Sequence, residues 1–159
     1  MDFRIDELSL SCRAQIVEIW HQGWHDAHAS VVPGELVALR TKESFTERVQ
    51  QLRPDFRVAI STDEILGFCI LRGDELYQMY VSRTARGRGV AAALIADAET
   101  CIHGAGHRTA WLDCAIGNNR AARFYGKSGW ENVKTVITNL DTSKGHFPLE
   151  VWRFEKTLP

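Results

Sequence analysis

The stretch SRTARGRGV, residues 82–90, combines residues that are suited to holding an anion. Arg83, Arg86 and Arg88 stand beside Gly87 and Gly89, directly before an alanine-rich segment. Glycine lets a backbone approach a phosphate closely because it has no Cβ, and arginine adds positive charge and forked donors. The spacing matches neither a Walker loop nor a Rossmann fingerprint. The residues alone leave two interpretations, an anion-binding loop or a solvated surface loop.

The segments on either side of this loop favour the anion site. A β-type run, 75–81, precedes it, and an apolar helical pattern, 90–103, follows with Leu94, Ala98 and Ile102 on one face. The first amides of a helix have no intrahelical acceptor, and the helix dipole adds partial positive charge there. A strand, a glycine loop and a helix N-terminus together predict a site for phosphate.

A second motif, NNRAARFYGKSGW at residues 118–130, follows another β-type run, 109–116. Here the chain resembles the GCN5-related N-acetyltransferase (GNAT) superfamily. The acetyl-CoA loop of that family reads Q/R-x-x-G-x-G/A, which Arg86, Gly89 and Ala91 match. Its next block reads N-x-x-A-x-x-[FL]-Y-x-x-x-G-[FW]. The residues that match this block are Asn118, Ala121, Phe124, Tyr125, Gly129 and Trp130.

The resemblance implies an α+β fold, with a single GNAT-type domain over residues 1–159 and a central twisted mixed β-sheet flanked by helices. In such a domain the strands near 75–81 and 109–116 run parallel and splay apart, and the pantetheine arm of acetyl-CoA lies between them. Hydrophobic periodicity predicts a compatible order of elements. Strands are expected at 2–6, 56–61, 65–72, 75–81, 109–116, 132–140 and 148–156, and helices at 9–30, 42–52, 90–103 and 119–128.

Local patterns add detail to the first two helices. The first helix is expected to bury Leu10, Ile16 and Trp20, whereas VVPGEL after it is interpreted as a break. Ser44 and Glu47 have the spacing of a capping box at the start of the second helix.

The resemblance also implies which residues hold acetyl-CoA. Unpaired backbone groups near Val81 would bind the pantetheine amides as an added strand does. The amides of residues 86–91 would bind the pyrophosphate, and Arg120 or Arg123 would reach the adenosine phosphate. The expected cofactor-binding residues are Met79, Tyr80, Val81, Arg86, Gly87, Arg88, Gly89, Val90, Ala91, Asn118, Ala121, Arg123 and Tyr125.

The chemistry that the resemblance implies is direct attack of a neutral amine on the thioester carbonyl. The backbone N–H of Val81 is the expected oxyanion donor. Tyr125 matches the general acid of the family, since a phenol can protonate a departing thiolate; the alternative is a core aromatic beside Phe124.

The general base stays unassigned at this stage. Strand 75–81 offers Gln78 at its centre, and an amide cannot accept the proton. Glu75, His25, His28 or a chain of water molecules remain open.

Three histidines, His21, His25 and His28, share one face of the first helix at a spacing that could hold zinc. No glutamate follows His21 and no distant ligand is evident, so no metal is expected. The resemblance places this helix along the acceptor pocket. The expected substrate-binding residues are therefore Trp24, His25, His28 and Gln78, whereas Trp20 is assigned to the core.

The composition excludes other classes of protein. No apolar run approaches the roughly 20 residues that span a bilayer, and acidic residues stand where a signal peptide is basic. There is no basic stripe with interleaved aromatic residues, so neither nucleic acid nor membrane is expected as a partner. Four scattered cysteines are typical of reduced thiols in a cytoplasmic protein.

The charge is divided unevenly along the chain. Residues 1–80 hold 8 Lys and Arg against 13 Asp and Glu, whereas residues 81–159 hold 11 against 7. This division suits an anion in the second half and a cationic acceptor in the first.

The expected function is transfer of an acetyl group from acetyl-CoA to the primary amine of a small molecule. The alternatives are a protein N-terminal or lysine acetyltransferase and a catalytically idle CoA-binding domain. Trp111, Trp130 and Trp152 are expected in the core or at the interface of a homodimer.

Overall fold

The computed structural model describes residues 2–159 and contains one seven-stranded mixed sheet, with strand order β1-β2-β3-β4-β5-β7-β6. The strands are β1 (Arg4–Glu7), β2 (Phe56–Ser61), β3 (Glu64–Arg72), β4 (Glu75–Val81), β5 (Thr109–Ala115), β6 (Glu131–Thr142) and β7 (Gly145–Thr157). The helices are α1 (Arg13–His28), α2 (Gly34–Leu39), α3 (Lys42–Leu52), α4 (Val90–Gly104) and α5 (Asn119–Lys127). This architecture confirms the expected α+β fold.

Two hydrophobic clusters cover the two faces of the sheet. Trp20 and Phe45, from α1 and α3, pack against Phe68 in one cluster, and Leu94 of α4 belongs to the other with Cys69. Phe68 and Cys69 are neighbours on β3 and point to opposite faces, as expected for a strand buried on both sides. The core position expected for Trp20 is confirmed.

The N-terminal region differs from its expected boundaries in three ways. Leu10 is 61% exposed in a 3₁₀ turn, because α1 begins only at Arg13. The segment interpreted as a break contains α2, a six-residue helix that follows Pro33, where a missing N–H does no harm. Helix α3 is capped by Thr41, whose side chain accepts from the N–H of Ser44, and not by a Ser44–Glu47 box.

Strands β4 and β5 run parallel but separate almost at once. Within residues 2–159 the two strands share one paired position, Glu75 with Trp111, and the N–H of Trp111 donates to the carbonyl of Asp74 at 3.1 Å. β5 stays paired with β7 along its whole length, and β4 stays paired with β3. The edge of β4 from Leu76 to Val81 therefore lies open, which confirms the expected splay.

A β-bulge in β4 lies just beyond this junction. Ile70 of β3 pairs with Gln78 and Leu71 pairs with Leu76, so Tyr77 is the extra residue between them. A bulge of this kind bends a strand and changes the direction of its side chains. Tyr77 thereby reaches the cluster beneath α1 and α3.

No helix within residues 2–159 is both long enough and apolar enough to cross a membrane.

Candidate active site

The direction of the backbone groups on β4 decides which of them face the open edge. The N–H of Ser82 donates to the carbonyl of Leu66 at 2.8 Å, so it points toward β3. A Cβ on Gly67 of β3 would lie 2.8 Å from the carbonyl oxygen of Tyr80, so that carbonyl points the same way. Because successive residues of a strand alternate in direction, the N–H and C=O of Met79 and Val81 point into the gap beside β5.

This alternation separates the three residues of β4 that were expected to bind the cofactor. Met79 and Val81 present their backbone groups to the gap, whereas the carbonyl of Tyr80 is directed at β3. The ring of Tyr80 packs against Phe68 with centroids 5.9 Å apart. Burial raises the pKa of the Tyr80 phenol, which therefore stays protonated.

The glycine loop forms an exposed cradle at the start of α4. Gly87 and Gly89 adopt φ values of 78° and 81°, which favour glycine, and Gly89 caps α4. No atom lies within 4 Å of the place where a Cβ would stand on either residue. The side chain of Val90 is buried and anchors the loop, while Ala91 is half-buried. The first amides of α4 are thus open to an anion.

An acidic residue that the sequence analysis missed ties this loop to α1. Asp26 accepts from Nε and Nη2 of Arg83 at 2.9 and 2.6 Å, and Nη2 of Arg86 lies 3.8 Å from Oδ2 of Asp26. The hydrogen bond from Arg83 holds the pKa of Asp26 below its usual value. Asp26 of α1 therefore neutralises part of the positive charge that Arg83 and Arg86 give to the loop.

Helix α5 brings further polar groups to the same end of the gap. The side chain of Asn118 caps the helix by accepting from the N–H of Ala121 at 3.4 Å, and both residues line the cavity described below. Partial burial and then the charge of Arg120 lower the pKa of Arg86. Arg120 therefore lies near the glycine loop, and both Arg120 and Arg123 are exposed on α5.

A cavity of about 160 Å³ lies between the open edge of β4, helices α1 to α3 and the β6–β7 hairpin. Of the expected site residues, it is lined by Trp24, His28, Gln78, Met79, Tyr80, Asn118, Ala121 and Tyr125. Val81 and His25 lie outside this lining. The cavity is thus lined both by Tyr125, the expected general acid, and by three of the residues expected to bind the acceptor.

Tyr125 is 9% exposed and lies among aromatic rings, with centroids 5.5 Å from Phe124, 5.8 Å from Phe154 and 6.3 Å from Trp130. Burial raises the pKa of its phenol. The group therefore reaches the cavity with its proton in place, as a general acid requires.

The thiol of Cys114 lines the same cavity. Burial raises the pKa of Cys114 to about 12, so the thiolate that a nucleophile requires is not formed near neutral pH. Cys114 is therefore poorly suited to carry the acetyl group as a covalent intermediate.

Glu75 is a largely buried carboxylate at the junction of β4 and β5. Its side chain is 12% exposed, and its Oε1 lies 3.5 Å from Nε of Arg72. Burial raises the pKa of Glu75, with Arg72 opposing the shift. A carboxylate with a raised pKa is a stronger base than one in water.

The two expected pocket histidines have different environments. Nδ1 of His28 bonds to the carbonyl of Trp24 at 2.9 Å, and burial lowers the pKa of His28 to about 4. Nε2 of His25 bonds to the carbonyl of Arg40 at 2.7 Å, and its ring lies 4.6 Å from that of His21. Among residues 2–159 no three His, Cys, Asp or Glu side chains converge as metal ligands.

Two arginines of the cavity wall were also missed by the sequence analysis. Arg40 is 3% exposed and donates from Nη1 to the carbonyl of Asp141 at 2.8 Å, and Nη2 of Arg48 donates to the phenol of Tyr77 at 2.8 Å. The helical spacing could have revealed Arg48, since it follows Phe45 by three residues on the buried face of α3. No periodic pattern marks Arg40, which lies between two helices.

Comparisons with known proteins agree with this geometry. The family described as "Acetyltransferase (GNAT) domain" matches residues 53–132, and the chain belongs to this family. A comparison with curated protein sequences finds no match.

Solved structures with low sequence identity share the whole fold. A GCN5-related N-acetyltransferase from Rhodopseudomonas palustris has 18% identity over 99% of this chain and 97% of its own, with a TM-score of 0.76. The PaiA N-acetyltransferase of Thermoplasma acidophilum, solved with coenzyme A, has 20% identity over 99% of both chains and a TM-score of 0.67. YncA of Salmonella typhimurium, solved with acetyl-CoA, has 14% identity over 100% of this chain and 95% of its own, with a TM-score of 0.67.

Proposed function

We propose that this protein transfers an acetyl group from acetyl-CoA to the primary amine of a small molecule. The observation that carries the proposal is the open edge of β4, where the backbone groups of Met79 and Val81 point into a gap beside the cavity that contains Tyr125. Unpaired backbone groups of this kind need partners, and the amides of a pantetheine arm are suitable ones.

The residues at the other end of the gap fit the remainder of the cofactor. The cradle of Gly87 and Gly89 has room for a pyrophosphate at the N-terminus of α4. Arg86 and Arg120 supply charge there. The relatives from Thermoplasma acidophilum and Salmonella typhimurium, solved with coenzyme A and acetyl-CoA, support this assignment.

When bound, acetyl-CoA would supply the activated acetyl thioester, and the chain would position it and move protons. The N–H of Met79 or of Val81 would hold the carbonyl oxygen, and we favour Met79 because it lines the cavity with Tyr125. The Oη of Tyr125 would donate its proton to the leaving sulfur.

The base that the sequence left open is best assigned to Glu75. Glu75 lines the cavity, and burial raises the pKa of its carboxyl group. His28 is a weaker candidate because its pKa is lowered to about 4, and His25 lies outside the lining of the cavity. Glu75 would accept a proton from the acceptor amine, directly or through water.

A small acceptor fits the cavity better than a polypeptide does. Its wall is closed across the acceptor side by the bond from Arg40 to Asp141, which joins the segment between α2 and α3 to the β6–β7 hairpin. We place the activity in the cytoplasm, since the four cysteines are free and three of them are buried.

The test is a turnover assay that follows release of the CoA thiol with a panel of primary amines, combined with calorimetry of acetyl-CoA binding. Binding with amine-dependent thiol release is expected. Binding without release for any amine would show a CoA-binding domain without catalysis, and absence of binding would overturn the proposal.

A further inference from the structure

Two guanidinium groups line the acceptor cavity and form no ion pair with any carboxylate of the described residues. Within residues 2–159 neither Arg40 nor Arg48 has a carboxylate within 4.0 Å, although the paired arginines Arg57, Arg83 and Arg153 each contact an aspartate. Both Arg40 and Arg48 lie on the cavity wall. A buried cation without a counter-charge is strongly unfavourable, so such a pair calls for an anion.

The hydrogen bonds of the two groups are also incomplete. Nε of Arg40 and Nη1 of Arg48 are buried and have no hydrogen-bond partner among the described residues. Each guanidinium makes one bond to a neutral oxygen, from Arg40 to the backbone of Asp141 and from Arg48 to Tyr77. Each guanidinium therefore keeps N–H donors that no described residue uses.

The neighbouring aromatic rings fix the orientation of these groups. The guanidinium carbon of Arg48 lies 4.3 Å from the centroid of Trp20, and that of Arg40 lies 5.9 Å from the centroid of Trp24. A guanidinium that contacts an aromatic ring keeps its N–H donors free at the edge of its own plane, where they can bind a carboxylate. Burial and then repulsion from the charge of Arg48 lower the pKa of Arg40 to about 10.

The carboxylates of the same cavity are already engaged elsewhere. Glu75 contacts Arg72, and Asp113 accepts two hydrogen bonds from Arg153. The carboxylate of Asp141 contacts His146, and its charge is the smallest of the influences on the pKa of Arg40, whose hydrogen bond goes to the backbone oxygen of Asp141. None of these carboxylates forms an ion pair with Arg40 or Arg48, and an anionic group on a molecule that enters the cavity would supply such a partner.

We propose that the acceptor amine carries a carboxylate, which binds Arg40 and Arg48 while the amine faces Glu75 and Tyr125. This inference rests on the proposed function and names its substrate class, an amino acid or a similarly small amino-carboxylate. The charge division along the chain predicted a cationic acceptor. We propose an amino-carboxylate instead, because residues 1–80, although acidic overall, contribute Arg40 and Arg48 to the cavity wall.

The experiment compares each of the common L-amino acids with its own carboxamide as acceptor. For at least one amino acid, kcat/KM is expected to exceed that of its amide by tenfold or more, mainly through KM, because only the acid completes the arginine pair. O-phosphoethanolamine serves as an amine with a phosphate in place of the carboxylate. The inference is overturned when no acid is acetylated, when amides equal acids, or when the phosphate compound is the better acceptor.

Variants distinguish anion binding from a structural role. Arg48→Gln is expected to reduce the preference for acid over amide to less than threefold, whereas Arg53→Gln removes an equal charge from an exposed turn and should leave the preference unchanged. Equal losses for both substrates in Arg48→Gln would show a structural role and overturn the inference. Arg40→Gln risks misfolding, so the comparison of substrates in the parent protein stands independently of it.

The proposed function fails separately from this inference. Failure of acetyl-CoA to bind in calorimetry refutes both. Acetylation of diamines without carboxylates at the same kcat/KM as the amino acids refutes only the arginine assignment and leaves acetyl transfer in place.

Discussion

Gly23 of α1 lies so close to Tyr80 of β4 that a Cβ on Gly23 would stand 2.7 Å from Cδ1 of the tyrosine ring. The ring is not free to withdraw, since its other side packs against Phe68. The contact fixes the distance of α1, which carries Trp24 and His28, from the strand whose backbone faces the gap.

Replacing Gly23 with alanine is therefore expected to destabilise the protein by about 1–3 kcal/mol, the usual result of overpacking. In a helix with free space around the glycine, the same change stabilises by about 0.5–1 kcal/mol. The sign of the change in the free energy of unfolding therefore tests the close contact. The matched control is Gly126→Ala in α5, where nothing lies within 4 Å of the new Cβ. Urea unfolding of both variants measures the effect, and a stabilised Gly23→Ala would contradict the close contact.

Gly89→Val is expected to weaken acetyl-CoA binding by tenfold or more. Its φ of 81° disfavours valine, and the added methyl groups would occupy the space proposed for the pyrophosphate. Gly106→Val is the control, because Gly106 also has a positive φ and open surroundings but lies at the far end of α4. Calorimetry on folded protein separates the two, and equal affinities would remove the loop from the site.

Tyr125→Phe is expected to lower kcat by about 100-fold, the lower range of general acid catalysis. The ring stays in place, so contacts with Phe124, Phe154 and Trp130 survive. The KM values should change little, because a proton donor acts mainly in the transition state.

A second acyl donor provides the control for that variant. A thioester with a more acidic leaving thiol needs less help from an acid, so the deficit of Tyr125→Phe should shrink with it. An equal deficit with both donors would assign Tyr125 to packing alone.

Glu75→Gln is expected to lower kcat/KM by about 100-fold or more if Glu75 is the base. In the parent, activity should fall as the pH drops through the raised pKa of Glu75, because protonation removes the base. The variant should lack this acidic limb. Glu64→Gln, at an exposed position of β3, provides the control. An unchanged pH–rate profile in Glu75→Gln would return the role to water or to a histidine.

His28 should make the protein sensitive to acid. Its pKa is lowered from 6.5 to about 4 in the folded chain, so the unfolded chain takes up a proton first as the pH falls. Stability is therefore full above about pH 6.5, and about 3 kcal/mol is lost by pH 4, at about 1.4 kcal/mol for each pKa unit. His28→Asn keeps a donor for the carbonyl of Trp24 and should lose about 3 kcal/mol less over this range.

The control for this prediction is His103→Asn, on the exposed surface of α4. Denaturant unfolding at several pH values gives the slope for each protein. If His28→Asn followed the parent at every pH, the burial of His28 would not govern the acid sensitivity.

The strands and long helices were predictable because their apolar residues recur with a clear strand or helix period. β2 and β4 have the expected bounds, and Leu94, Ala98 and Ile102 are buried as expected. α2 was missed because Pro33 and Gly34 are helix breakers inside a segment but are compatible with a helix that begins there. Leu10 belongs to a 3₁₀ turn, in which a helical period no longer applies.

The candidate site was predictable where a motif ran through consecutive residues, as in the loop around Gly89 and the block around Tyr125. It was not predictable where the wall is built across distance, since Arg40 meets a backbone oxygen 101 residues away. Composition also does not locate charges in space. The acidic excess of residues 1–80 does not describe the wall of the cavity, where Arg40 and Arg48 project.

Within the described residues, the pairing of Glu75 with Trp111 is the one ladder position that joins two halves of the sheet, β1–β4 and β5–β7. Val81 and the acceptor wall of α1 to α3 belong to the half that contains β4. In contrast, α5 with Tyr125 follows β5 in the other half. The angle between the two halves therefore sets the distance from the phenol of Tyr125, the proposed proton donor, to the backbone amides of β4. A substitution that widens this gap is therefore expected to lower turnover even where the hydrogen bonds within β3–β4 and β5–β7 stay intact.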